Sequence, residues 1–208
     1  MYRTIFYSLC LILMIISPAM AEINFNKDRW MLRFRVIDLM PDEDSSVSIG
    51  GDVKLGNSFV PEFDISYFWT DNIATELILG TTKHNASATQ TGLGELDLGD
   101  VMILPPTLTM QYHFMPEEQF RPYAGAGVNY TFFYNEDAGS SITSIDYENN
   151  FGVALQAGFD YGLNKHWALN LDVKKLWLST DISINGGAVT ADVDLDPWVF
   201  GAGIAYRF

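Results

Sequence analysis

The fold is decided by residues 30–37, which read Trp30-Met31-Leu32-Arg33-Phe34-Arg35-Val36-Ile37. Trp30, Leu32, Phe34 and Val36 fall in one phase of a period of two, and Met31, Arg33, Arg35 and Ile37 in the other. A strand here therefore carries one apolar face and one charged face. The alternation returns at Phe63, Ile65, Tyr67 and Trp69; at Ile73, Thr75, Leu77 and Leu79; at Leu108, Met110, Tyr112 and Phe114; and on every second residue from Pro122 to Phe132. Phe151 to Tyr161, Trp167 to Val173 and Trp198 to Phe208 complete eight strands.

A soluble sandwich also alternates, so the connections must separate it from a membrane barrel. Short links lie at Thr70 to Asn72, Met115 to Gln119 and Gly162 to His166, whereas long polar ones span 39–58, 82–100, 134–149 and 179–196. Regular exchange of short and long links predicts an all-β protein, an eight-stranded antiparallel transmembrane β-barrel with short periplasmic turns and long extracellular loops. The tryptophans agree, because interfacial aromatics belong at strand ends. Trp30, Trp69 and Trp167 border the short turns, and Trp177 and Trp198 border the long loops. Tyr206-Arg207-Phe208 ends the last strand on an aromatic in the lipid-facing phase, the kind of C-terminal strand that barrel-assembly machinery in Gram-negative bacteria recognises.

Working outward, Arg3, an apolar run from Leu9 to Ile16 and the small-x-small triplet Ala19-Met20-Ala21 read as a secretory signal over residues 1–21, leaving 22–208 as the outer-membrane barrel. The run is too short to span a bilayer as a helix. Cys10, the only cysteine, departs with the signal, which excludes disulfides and thiol chemistry from the mature chain. With 26 Asp and Glu against 12 Lys and Arg, the surface repels a phosphate backbone, so nucleic acid is excluded as a partner.

Several segments also resemble a known family, the outer-membrane protein W (OmpW) family. They are Asp71-Asn72-Ile73 leading to Glu76-Leu77, Leu104-Pro105-Pro106-Thr107-Leu108 leading to Tyr112-His113-Phe114, Phe120-Arg121-Pro122-Tyr123 followed by residues 125–131, and Leu195-Asp196-Pro197-Trp198-Val199-Phe200. The resemblance implies a narrow barrel with an apolar passage for small hydrophobic molecules and, in some members, use as a receptor by bacteriocins or phage.

An eight-stranded barrel is just wide enough to be filled by side chains or to hold one small ligand, so function must come from the lining. The inward phase carries Arg33, Arg35, Arg121, Lys174 and Arg207 against Glu62, Asp64, Glu76, Asp160 and Asp172, five of each sign. Buried charges are costly unless paired, so these residues, with His113, are expected to form an ion-pair network closing the periplasmic half. Inward apolar residues gather in the outer half: Ile37, Ile78, Val101, Ile103, Phe133, Leu176, Leu178 and Val199, with Leu93, Leu96 and Leu98 on the second loop as walls and Phe68 as an exception near the floor. They read either as an apolar vestibule for small solutes or as a rim core supporting the loops; the resemblance favours the vestibule.

Pro105 and Pro106 lie within the fourth strand, where two missing N–H groups interrupt the ladder. The result is a lateral opening into the membrane, or a bulge that shapes the second loop. Asp42, Glu43 and Asp44, then Asp192, Asp194 and Asp196, add charge to the loops, for solvation or for sharing divalent cations with lipopolysaccharide; none has calcium-loop spacing. His84 with Ser87 is the one loop pair worth weighing for catalysis, His166 sits in a turn, and three scattered histidines make no zinc site. The expectation is a non-enzymatic barrel without cofactor or metal, lying among outer-membrane lipids and binding or conducting small apolar solutes. A surface receptor or structural protein acting through its loops is the alternative.

Overall fold

The computed structural model describes residues 27–208 apart from 43, 49–51, 56–57 and 92–93. The expected signal, Met1 to Ala21, therefore lies outside the described residues, as do Glu43 and Leu93. A single 3-10 turn, Lys27–Arg29, leads into β1 (Trp30–Met40), β2 (Asp44–Val47), β3 (Asp52–Leu55), β4 (Ser58–Phe68) and β5 (Ile73–Gly80). Next come β6 (Thr82–Thr91), β7 (Gly94–Leu104), β8 (Thr107–His113), β9 (Phe120–Ala138) and β10 (Ile145–Tyr147). The chain ends with β11 (Asn150–Gly162), β12 (Trp167–Trp177), β13 (Ser179–Ile184), β14 (Val189–Asp194) and β15 (Trp198–Arg207).

Eight of these close into a barrel in the order β1-β4-β5-β8-β9-β11-β12-β15 and back to β1, every pair antiparallel. Each wall strand carries one of the eight alternating stretches, with Trp69, Phe114 and Phe208 one residue past the ends of β4, β8 and β15. Closure leaves no free edge, so the wall's backbone groups can be satisfied where no water is available. In β1, Met31, Arg33, Arg35 and Ile37 are buried in the lumen while Phe34 and Val36 are exposed, as a strand between lipid and lumen requires. The short turns are capped locally: Thr70 Oγ1 accepts from the Asn72 and Ile73 amides, and Asn164 Oδ1 from those of His166 and Trp167. Trp30, Tyr67 and Trp69 pack edge to face at that end, as do Trp167, Tyr206 and Phe208.

The long connections depart from the expectation of irregular polar loops, since their described residues carry seven further strands. β3, β6 and β7 extend the wall upward along the outer part of β9, and β10, β13, β14 and β2 form a separate four-stranded sheet over the mouth. Asn185, Gly186 and Gly187 turn β13 into β14 with φ of 53°, 70° and 88°, a left-handed path that Asn and Gly accept with least strain. This hairpin has its own alternation: Ile182, Ile184, Ala191 and Val193 are buried, while Asp181, Asp192 and Asp194 are exposed.

Candidate functional site: a layered lumen

The lumen is stratified along its axis. At the bottom, Met31, Phe68, Ala74, Ala168 and Ala205 form a small apolar plug. The Arg207 guanidinium lies 4.1 Å over the Phe68 ring, with Nε donating to the Asp28 carbonyl at 3.3 Å. Arg29 donates to the Phe68 and Trp69 carbonyls.

Above the plug is an ion-paired layer. Arg33 forks onto Asp160, Nη2 to Oδ2 at 2.8 Å and Nε to Oδ1 at 3.3 Å, and reaches Glu76 at 2.5 Å. Arg35 contacts Glu62 at 2.9 Å, Asp64 at 2.6 Å and Glu76 at 3.4 Å. Lys174 bridges Glu62 at 2.7 Å and Asp172 at 3.0 Å. Eight of the predicted charged residues are therefore brought together by five wall strands.

The other two cations are not in it. Arg121 and Arg207 stand below, so the contact network holds three cations against five carboxylates, and five-to-five neutrality holds only over the lumen as a whole. Neutral donors fill the difference. Gln111 and Gln156 donate to Glu76 Oε2 at 2.6 and 2.9 Å, Gln156 donates to Asp172, Tyr123 donates to Asp172 at 2.7 Å, and Asn170 donates to Asp160 at 2.8 Å. His113 joins through Gln111 at 3.2 Å, its ring lying between those of Phe68 and Tyr123. Gln111, Tyr123, Gln156 and Asn170 were missed by a reading that tracked charge alone, although all four lie in the inward phase.

The outer half is apolar. Ile37, Leu98, Val101, Ile103, Phe133, Leu176, Leu178 and Val199 are buried in one cluster with Leu96 packed against it. Ile78 is buried and inward but lies outside that cluster, directly across from Asp64 and from Thr107. The extracellular strands supply more of the cluster than the wall does, including Val53, Ile145, Ile182, Ile184 and Val193, and Leu195 joins it from the link after β14. Among the described residues, the enclosed space between Val101, Ile103 and Phe133 below and Ile182, Val193 and Leu195 above is about 10 Å³, room for one water.

The proline pair lies between these zones. Thr107 pairs with Ile78 below the prolines and Ile103 with Thr82 above them, and the register runs straight through. The same holds on the other side, where Thr107 pairs with Asn129 and Leu104 with Phe132. β7 ends at Leu104 and β8 begins at Thr107, but there is no bulge between them: the pairing keeps its register and skips rungs at the prolines. The hydrogen bond from the His113 amide to the Asn72 carbonyl shows that odd residues of this strand face β5, and those from Tyr130 to Pro106 and from Phe114 to Pro122 show that even ones face β9. Pro105 therefore withholds its N–H from Gly80, and Pro106 from Tyr130. The wider interruption faces β5, opposite residues 79–81. The Thr81 hydroxyl partly spans it, donating to the Ile103 carbonyl at 3.3 Å and meeting the Tyr134 hydroxyl at 2.6 Å.

Outside the membrane, one carboxylate ties two loops. Asp97 accepts from the Gly99 amide at 3.0 Å and from the Ser140 amide and hydroxyl at 3.2 Å, and these donors hold its pKa below the ordinary carboxylate value. His84 and Ser87 do not form a catalytic pair: His84 is buried with Nε2 2.9 Å from the Thr82 hydroxyl, and Ser87 falls in the opposite phase of β6.

A model of the OmpW family matches residues 26–208. An uncharacterized outer-membrane protein of Sinorhizobium fredii, y4mB, is 41% identical over 93% of this chain and 86% of its own length. The dibenzothiophene metabolism operon protein PahQ of Pseudomonas aeruginosa is 29% identical over 92% of both chains. Among solved structures, the outer membrane protein OprG of Pseudomonas aeruginosa superposes with a TM-score of 0.81 at 32% identity, covering 86% of this chain and 95% of that one.

Proposed function

The chain belongs to the OmpW family and is a β-barrel of the bacterial outer membrane, and from that premise we propose that it is a passive conduit for small apolar molecules, taking them into its outer half and releasing them sideways into the bilayer. The observation that carries this reading is the layering: an apolar cluster stands above an ion-paired floor, with a band of neutral polar side chains and the skipped rungs at Pro105 and Pro106 between them. Ile37, Val101, Ile103, Phe133, Leu176, Leu178 and Val199, which pack around only about 10 Å³ of enclosed space, part from the extracellular sheets to line the binding zone, with Ile78 at its lower margin and Leu96 and Leu98 on its second-loop wall. An apolar solute gains there by leaving water, at roughly 25 cal/mol for each Å² it buries. Straight descent offers it only charged and hydrogen-bonded groups, which it cannot satisfy. The opening toward residues 79–81 leads instead to lipid. Kinship with a protein named for a dibenzothiophene metabolism operon supports an apolar cargo.

Gly80 supplies the test, because it faces the lumen at the interruption and an added Cβ would meet nothing nearer than 3.7 Å. Gly80→Phe should fold normally and fill the opening. In vesicles bearing lipopolysaccharide, protein-dependent entry of naphthalene should fall severalfold. Unchanged entry through folded Gly80→Phe removes the lateral route, and no entry above protein-free vesicles with the native chain removes conduction altogether.

A further inference from the structure

Resting on the conduit reading, the geometry points to a polar subsite on the lumen wall level with the proline pair: the Asn129 carboxamide, lying over Gly152 and flanked by Thr107 and Thr131, is a hydrogen-bonding seat for the neutral oxygen of a small amphiphile. The barrel would therefore favour oxygenated molecules, such as medium-chain ketones, over plain hydrocarbons of the same size.

A passage suited to hydrocarbon alone would be apolar at its exit. Here the lumen wall level with the prolines is polar on its β9 side. Thr107 and Asn129 are paired across β8 and β9, and the same register places Thr131 opposite Pro105. Asn129 is 2% exposed and Thr131 is fully buried. The Thr131 hydroxyl donates to Asn129 Oδ1 at 3.3 Å and Thr107 donates to the Pro105 carbonyl at 2.9 Å, so both hydroxyl protons are committed. The amide nitrogen of Asn129 is buried and has no hydrogen-bond partner. A buried amide donor left unsatisfied is unfavourable, and each such group in a native structure calls for a cause.

The position is built. Gly152 lies opposite Asn129 on β11, and a Cβ there would come within 2.8 Å of the carboxamide oxygen and 2.9 Å of its nitrogen. Any larger residue at 152 would displace the amide. Four residues further up β9, about 13 Å along the strand, Phe133 belongs to the apolar cluster that would take the tail. Below stand Thr109 and Gln156, then five carboxylates against three cations. That excess of negative charge repels an anionic head, and the free amide donor asks for an acceptor. A ketone, ether or alcohol oxygen satisfies both conditions.

The test uses 2-octanone and octane with the full barrel in lipid nanodiscs and in lipopolysaccharide-bearing vesicles. Titration with 2-octanone should move the Asn129 side-chain amide resonance, and octane should leave it in place. Asn129→Leu, and Asn129→Ala as a variant that adds no bulk beside Gly152, should lower 2-octanone entry relative to octane roughly tenfold, the order expected for one buried hydrogen bond. Equal change for both probes, or no shift of the Asn129 amide, overturns the subsite. Entry of octane without discrimination leaves conduction standing while the subsite falls. An Asn129 shift with no protein-dependent entry of either probe removes conduction and keeps the seat.

Discussion

Arg35 offers the sharpest test of the ion-paired layer. Its side chain is fully buried and holds Glu62, Asp64 and Glu76 together while Nε donates to Asn170 at 2.6 Å. Arg35→Met keeps the length and much of the volume but removes the charge, leaving Arg33 and Lys174 to face five carboxylates. Breaking a buried pair by deleting one partner costs about 3–5 kcal/mol, because the remaining charge is desolvated without compensation. Three carboxylates lose a partner at once here, so the upper end applies, and the folding equilibrium should shift by roughly three orders of magnitude. Urea titration of the barrel in vesicles, followed by tryptophan fluorescence and by gel mobility of unheated samples, reads this directly. Adding Asp64→Asn removes the carboxylate 2.6 Å from the missing guanidinium and should restore a substantial part of the loss. A single-variant loss below about 1 kcal/mol, the scale of an exposed pair, or strictly additive effects in the double variant, would refute the claim that these charges act as one network.

Ile78 lies directly across from Asp64, so Ile78→Glu places a sixth carboxylate beside an already acidic layer whereas Ile78→Lys adds a matching cation; vesicle unfolding should show the first clearly less stable than the second, and equal stabilities would contradict the register. Asp97 should make the junction of the second and third loops acid-sensitive. Its depressed pKa means that the tie is complete above the ordinary carboxylate value of about 4 and is lost as pH falls through the lower folded value; amide exchange at Ser140 should quicken in acid and, at neutral pH, in Asp97→Asn. Unaltered Ser140 protection in the variant would contradict it. Deleting Phe208, whose amide donates to the Trp30 carbonyl at 3.2 Å and whose ring meets Tyr206 edge-on, should lower the yield of assembled barrel in cells, measured as the heat-modifiable fraction.

The wall was legible because lipid and lumen impose opposite demands on neighbouring residues, and Trp30 to Ile37 records them without exception. The extracellular strands were hidden by their inward residues, which are small or sparse. In β6, Ala86 and Ala88 occupy the buried phase between Thr, Asn and Ser, a pattern that reads as loop. β13 and β14 did leave a signal in Asn185-Gly186 between two alternating runs, a hairpin mark obscured by the aspartates around it. At the site, phase identified every inward charge but not its height along the axis. Arg121 and Arg207 share the phase of Arg33, yet they lie near the periplasmic ends of β9 and β15, below the layer that Arg33 joins. Periodicity gives a residue's side of the wall; only register gives its neighbours.

Register also explains how a proline pair can open a wall without weakening the fold around it. Had Pro105 and Pro106 shifted the pairing by one residue, every side chain above them would have changed faces, sending Val101, Ile103 and Leu98 to the lipid side. The rungs next to the prolines instead obey the same pairing on both flanks, so Val101 and Ile103 keep the lumen side; Leu98, of the opposite phase, reaches it through the register shift between Gly99 and Asp97. Each neighbouring ladder gives up one N–H donor, a loss on the order of 1 kcal/mol per hydrogen bond, spread over two strand pairs that remain zipped on either side. Thr81 recovers part of it by reaching the Ile103 carbonyl from the link between β5 and β6. The opening is therefore local by construction. Its position follows from the layering, because a break one turn lower would expose the carboxylates of the ionic layer to lipid, and one higher would join water to lipid above the apolar cluster. Between the two, it joins the foot of the apolar cluster, beside the polar side chains of Thr107, Asn129 and Thr131, to the lipid.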